Sequence, residues 1–155
     1  MIKDSKWYLI TIDDAPKYLP GKSIFDIIQL ILKVIKFKYV ILDDINGVAE
    51  AAVYLQNKEG IAILLKDFLE IVGSVKQFEW GDFLLFIERP HDWEEVPNYL
   101  YPHSHLEISD TTVRAVDNQY IYVYTPYQEI VDLIKENYDI ESIKTDILQN
   151  LDYPD

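Results

Sequence analysis

The chain has no cysteine, so neither a disulfide framework nor a thiolate metal site is open to it. Basic residues are also few: Lys plus Arg number 14 against 27 Asp plus Glu, a formal net charge of -13. The only arginines are Arg89 and Arg114. A field of that sign repels polyanions, which argues against nucleic acid and anionic membrane as partners. No apolar run reaches the ~18 residues of a membrane span. The first seven residues, Met1 to Trp7, lack the apolar stretch of a secretory signal. These absences predict a cytoplasmic protein. There is no Gly-rich phosphate cradle, no Gly-x-Ser-x-Gly nucleophile turn and no His-Glu-x-x-His zinc pattern. The expectation is therefore a protein that is not an enzyme and has no cofactor.

What is present is a globular composition, 49% hydrophobic over 155 residues, which fits one domain spanning 1–155. The charge is uneven. Residues 1–40 hold 7 Lys and 4 Asp, net +3, whereas residues 41–155 hold 7 basic and 23 acidic residues, net -16. Such a surface attracts cations or basic proteins. Plain solubility is the alternative use of the same charge.

Trp7 to Ile12 reads as a buried strand, stopped by Asp13-Asp14-Ala15-Pro16. Pro20 to Ser23 reads as a turn with Ser23 as N-cap, after which Ile24, Ile27, Ile28, Ile31 and Ile35 recur at helical spacing. Tyr39 to Leu42 is a short strand ending in Asp43-Asp44. Residues 49 to 56 suggest a helix, with a strand over 51–55 as alternative. Residues 61 to 72 form an amphipathic helix with Gly73 as C-cap. Residues 75 to 88 are extended, and Gly81 marks a bulge or tight turn. Residues 89 to 110 look irregular, with a short strand near Leu106-Ile108. Thr125-Pro126-Tyr127-Gln128 is a capping box for a helix to about Asn137. Ile140 to Thr145 reads as a strand, and Leu148 to Asp155 as an acidic tail. The succession implies an α+β domain: a mixed or antiparallel sheet of about five strands, with helices packed largely on one face.

The best-defined local unit is a β-hairpin over Thr111 to Thr125. A two-residue loop at Asp117-Asn118 satisfies turn chemistry, because both residues tolerate a left-handed backbone. A three-residue loop, Asp117 to Gln119, instead gathers Val113, Ala115, Ile121 and Val123 on one apolar face. It places Thr112, Arg114, Val116, Tyr120, Tyr122 and Tyr124 on the other. Burial outweighs turn chemistry, so the three-residue loop is expected, at the cost of Gln119 where Gly or Asn is preferred.

Four groups of residues carry candidate chemistry. Asp13, Asp14, Asp43 and Asp44 would bring four carboxylates to one sheet edge, fit for Mg²⁺, if their strands were parallel neighbours. Asp is also common in turns after strands. His103, His105 and Glu107 share one side of an extended segment and are ligand types for zinc, or simply polar residues of a loop. Tyr120, Tyr122 and Tyr124 beside Arg114 form an aromatic row suited to a protein interface, or to packing beneath another element. The proline-bounded loop combines Trp93, Tyr99 and Tyr101 with Asp92, Glu94 and Glu95, anchors flanked by carboxylates.

Two stretches, Phe78-Glu79-Trp80-Gly81-Asp82-Phe83-Leu84-Leu85-Phe86 and Thr112 to Asn118 with Tyr120 to Thr125, resemble segments of small acidic immunity proteins of bacterial polymorphic-toxin systems. The two stretches together hold 22 of the 155 residues. The resemblance implies a non-enzymatic role, in which the protein binds a toxin domain and blocks its active site. The leading expectation is a protein that neutralises a basic partner, a toxin nuclease domain being one form of it. A metal-dependent hydrolase built on the Asp pairs, and a small regulatory or ligand-binding domain, are the alternatives.

Overall fold

A computed structural model of the chain describes residues 6–13, 18–94 and 103–154. Eleven helices and strands follow in order: β1 (Trp7–Ile12), α1 (Gly21–Ile31), β2 (Tyr39–Val48), α2 (Glu50–Gln56), β3 (Ile63–Leu64), α3 (Leu65–Val72), β4 (Gln77–Phe86), β5 (Thr111–Val116), β6 (Tyr120–Thr125), α4 (Gln128–Asn137) and β7 (Ile140–Asp146). The class is α+β. The sheet has seven strands in the order β3-β2-β4-β5-β6-β1-β7, every neighbouring pair antiparallel. Five strands were expected. The strand not foreseen is β3, which takes two residues from the start of the apolar helical pattern; the expected Ile140 to Thr145 strand is present and pairs with β1.

The four α-helices all bury their apolar stripes against one face of this sheet. Ile24, Ile27, Ile28 and Ile31 of α1 share a core with Phe68 of α3, Ile130 and Ile134 of α4, and the strand residues Val113, Ala115, Ile121 and Val123. The three-residue hairpin register is the one observed, with Val113 opposite Val123 and Val116 opposite Tyr120. Turn chemistry is satisfied as well. Asp117 and Asn118 both have positive φ, 52° and 48°, and the Gln119 N–H closes the turn on the Val116 carbonyl at 3.1 Å. Gln119 is thus an extra residue after the turn and escapes the strain expected of it.

Several local expectations are corrected. α1 begins at Gly21, so Ser23 lies inside the first turn and is not the cap. A side chain at Gly21 is barred by packing: a Cβ there would lie 2.0 Å from the Val72 carbonyl oxygen at the end of α3. β2 runs through Asp43-Asp44 instead of ending there. The bulge sits in β2 opposite Gly81, between the pairs Asp43–Asp82 and Asn46–Trp80, and Asp44 takes φ 52° to make it. α4 starts at Gln128, although Thr125 Oγ1 still accepts from the Tyr127 N–H at 3.2 Å. Residues 104–108 form a 3-10 helix, not a strand.

The second face of the sheet is covered by irregular chain. Trp7, Leu9, Ile41, Leu84, Phe86 and Tyr124 pack with Leu106 of the 3-10 helix and with Leu148 and Leu151. The expected acidic tail is therefore part of a second core. Its apolar residues recur at 148, 151 and 153, a spacing that lets a short 3-10 turn and the extended chain beyond it point all three at the sheet. Among the described residues no helix is long and apolar enough to cross a membrane.

Candidate functional site

One polar row crosses the second face. Register aligns Asp43 of β2 with Asp82 of β4, Asp82 with Arg114 of β5, Arg114 with Tyr122 of β6, and Tyr122 with Thr11 of β1. Directly opposed residues on neighbouring strands point to the same face, so sequence alternation alone brings these side chains together. Arg114 Nε donates to Asp82 Oδ1 at 2.7 Å, with both side chains 1% exposed. The Tyr153 ring lies on the guanidinium, 3.7 Å from its centroid, and the Tyr153 hydroxyl donates to Asp82 Oδ2 at 3.0 Å. His103 stacks on the Tyr153 ring at 5.1 Å, and its Nε2 lies 2.8 Å from the Leu148 carbonyl. Tyr124 donates its hydroxyl to the Asp152 carbonyl at 2.6 Å. The C-terminal segment is thus tied to the sheet through the ion pair.

The electrostatics follow from burial. Desolvation opposes the charge on Arg114, but the Asp82 carboxylate more than offsets it and the guanidinium stays ionised. Among the described residues no basic side chain offsets Asp43 in the same way. Burial, then repulsion from Asp82, pushes it up to about 6. Burial raises Glu59 and lowers His103.

Asp43, Asp82 and His105 offer ligand atoms within 4.8 Å of one another. Two carboxylates and an imidazole are cation ligands in kind. Both Asp82 oxygens, however, already accept hydrogen bonds from Arg114 and Tyr153, and the guanidinium supplies the positive charge there. The cluster is a buried ion pair with one surplus carboxylate. The four-Asp arrangement does not form. β1 and β2 are separated by β4, β5 and β6, roughly 19 Å at the usual strand spacing, and Asp14 lies outside the described residues. His103 and His105 are both buried, and they are split: His103 faces Leu148 and Tyr153, while His105 meets the edges of Trp93 and Tyr153.

Two of the four residues expected to form the aromatic row are withdrawn from the surface. Arg114 and Tyr124 are 0% exposed, and Tyr120 and Tyr122 are half-buried. The C-terminal segment, not a helix, is what covers Arg114 and Tyr124. Glu95, Tyr99 and Tyr101 lie outside the described residues. Asp92 and Glu94 are exposed and Trp93 is half-buried. Asp92 Oδ1 accepts from the Ala62 N–H at 2.8 Å, and the Trp93 N–H donates to the Gly60 carbonyl at 2.7 Å, which fixes this stretch against the chain before β3.

That fixed stretch forms one wall of a groove of about 680 Å³. Its apolar lining is Phe86, Ile87, Pro90, Ile108 and Trp93, and three carboxylates, Glu88, Asp92 and Asp110, line it beside His91. Asp110 is held by the Ile87 N–H at 2.8 Å. Arg89 is the neighbouring cation, 3.9 Å from Asp92.

No protein-family model, curated protein or solved structure matches the chain.

Sequence reasoning missed Asp82, Tyr153, Glu88 and Asp110. Asp82 had a signal: an acid between Gly81 and Phe83-Leu84-Leu85-Phe86, mirrored by Arg114 inside Thr-Thr-Val-Arg-Ala-Val. Opposite charges in two otherwise apolar strands announce a buried pair. The groove had part of one: Asp92 and Trp93 stand out in the proline-bounded loop, but Glu88 and Asp110 join them only through the sheet.

Proposed function

We propose that the chain is a non-enzymatic binding protein that neutralises a basic protein partner, in the manner implied by its resemblance to immunity proteins, with a toxin nuclease domain as the partner type. The supporting observation is the groove: apolar and aromatic surface together with Glu88, Asp92 and Asp110, on a chain of net charge -13. Interfaces draw their energy from desolvated aromatic anchors and their specificity and speed from charge complementarity. A lysine or arginine presented by the partner finds carboxylates at the rim and apolar surface for its stem. The buried Arg114–Asp82 pair holds together the second core on which the groove is built.

The test is affinity capture from the source cell with the wild-type chain and with Glu88→Lys/Asp92→Lys. The reading requires a partner of basic isoelectric point that the wild type retains, that the double variant loses, and whose activity the wild type inhibits at one-to-one stoichiometry. Capture that is indifferent to the double variant, or a partner whose activity is unaffected, would count against it.

A further inference from the structure

A second cavity has the opposite sign. It opens where the chain leaves α1 for β2 and where β3 turns into α3. Its volume is about 270 Å³, with Leu32, Phe37, Tyr39, Leu64, Leu65 and Leu69 as walls and Lys38 and Lys66 as its charged residues. Among the described residues no carboxylate lines it. The approach, Lys33-Val34-Ile35-Lys36-Phe37-Lys38, holds three lysines and no acid. Lys33, Lys38 and Lys66 are exposed, and among the described residues none of the three is in an ion pair, whereas Lys22 and Lys144 elsewhere are paired. In a chain with 27 carboxylates, an apolar cavity whose charged lining among the described residues is Lys38 and Lys66 stands apart, with Asp67 and Glu70 of α3 as the acids next to it in sequence.

The cavity is also held in place. The Lys38 N–H donates to the Phe86 carbonyl at 2.9 Å, and the Lys38 carbonyl accepts from the Leu65 N–H at 2.8 Å. These bonds tie the lysine-bearing backbone to the end of β4 on one side and to the start of α3 on the other. Leu64 remains 39% exposed at the mouth, an apolar side chain without cover.

From this combination we infer that the cavity binds a small carboxylate bearing a single unbranched apolar chain, that is, a medium-chain fatty carboxylate. The chain enters between the leucines and the head group sits between Lys38 and Lys66. The volume lies just under the usual ~300–1,000 Å³ of ligand pockets and suits one short apolar chain. Apolar burial supplies the affinity, because the molecule's overall field repels an anion at a distance. The lysines act at contact range and choose the head group. The site is separate from the acidic groove and does not depend on the partner reading.

Titration calorimetry on the full chain tests this with butanoate, hexanoate, octanoate, octylammonium and octanol as probes, below their aggregation concentrations. Octanoate should bind at one per chain, with affinity rising about fourfold per added methylene until the cavity is full. Octylammonium should bind at least about tenfold more weakly than octanoate. Lys38→Glu/Lys66→Glu, at two exposed positions, should keep the wild-type circular dichroism and reverse that preference. Leu64→Gln should weaken octanoate and octanol alike. Absence of saturable octanoate binding, equal binding of octylammonium, or an unchanged octanoate affinity in the double lysine variant would each overturn the assignment. So would tighter binding of a short leucine-ended peptide with a free carboxylate.

Discussion

Arg114 is the residue on which the second face turns. A guanidinium removed from water is costly, and here the cost is offset by Asp82, by the Tyr153 ring above it and by the Tyr153 hydroxyl on the far carboxylate oxygen. Removing one partner strands the other. Arg114→Met should therefore cost about 3–5 kcal/mol in urea denaturation, while Arg114→Met with Asp82→Leu should recover much of that loss. A single substitution costing no more than the double would show that the pair contributes nothing beyond its volume. Asp43 supplies a second test. Its ordinary value is 3.8 and its folded value about 6, so the folded protein holds this proton where the unfolded chain has released it. The stabilisation is fully present below 3.8 and is lost as pH rises through about 6. Asp43→Asn should accordingly be more stable than the wild type at pH 8 by about 1–2 kcal/mol, allowing for the solvent that still reaches the carboxylate. The gain should vanish near pH 4. Buried His103, lowered by desolvation, opposes this trend, but it is common to both proteins and cancels in their difference. Chemical melts across pH 4–8 check the sign. At this scale the sequence displayed its charged strand residues openly. Their pairing depended on which strands are neighbours, and composition does not carry that.

The elements divide by the kind of signal each left in the sequence. The hairpin was legible to the residue because alternation fixed the faces and so selected the three-residue loop; the turn chemistry that had argued for a two-residue loop is met within it, at Asp117 and Asn118. α1 and α4 followed their periodicity to within a few residues. β3 did not, since Ile63 and Leu64 fit a helical stripe as well as a strand, and what decided them was the open edge of β2 at Tyr39 and Val40. The C-terminal segment was the largest misreading. Its acids suggested a solvated tail, yet Leu148 is 1% and Leu151 5% exposed. Burial of that kind carries a measurable consequence. Leu148→Ala should destabilise by about 2–5 kcal/mol, comparable to Ile121→Ala in the helix-side core. A free tail would show almost no change. Ile121→Ala at full cost with Leu148→Ala near zero in parallel urea melts would detach the segment from the fold.

The whole molecule is governed by its charge, and that was legible from composition alone. What composition left open was where the charge works. The net -16 of residues 41–155 is spread over many exposed carboxylates, but Glu88, Asp92 and Asp110 are the ones set around apolar and aromatic surface. Distributed charge steers an approaching basic protein, and packed contacts hold it once it arrives. Steering decays with the Debye length, which falls from ~8 Å at 0.15 M to ~3 Å at 1 M salt. The association rate with the proposed basic partner should therefore fall by about tenfold or more from 0.05 to 1 M salt, with the dissociation rate changing far less. Glu88→Gln/Asp92→Asn/Glu94→Gln should lower the low-salt association rate and flatten its salt dependence. Folding stability should hold, because the amide oxygen introduced by Asp92→Asn can still accept the Ala62 N–H. Trp93→Ala should act on the other constant. Its ring lines the groove and meets His105 at 6.4 Å, so its loss should speed dissociation and also cost some stability. Surface plasmon resonance across the salt series, with a denaturation curve for each variant, separates these effects. An association rate indifferent to salt would leave the -13 as a solubility device and remove the groove's carboxylates from recognition. Salt-dependent association with unchanged kinetics in the triple variant would keep steering but move the interface to another part of the acidic surface.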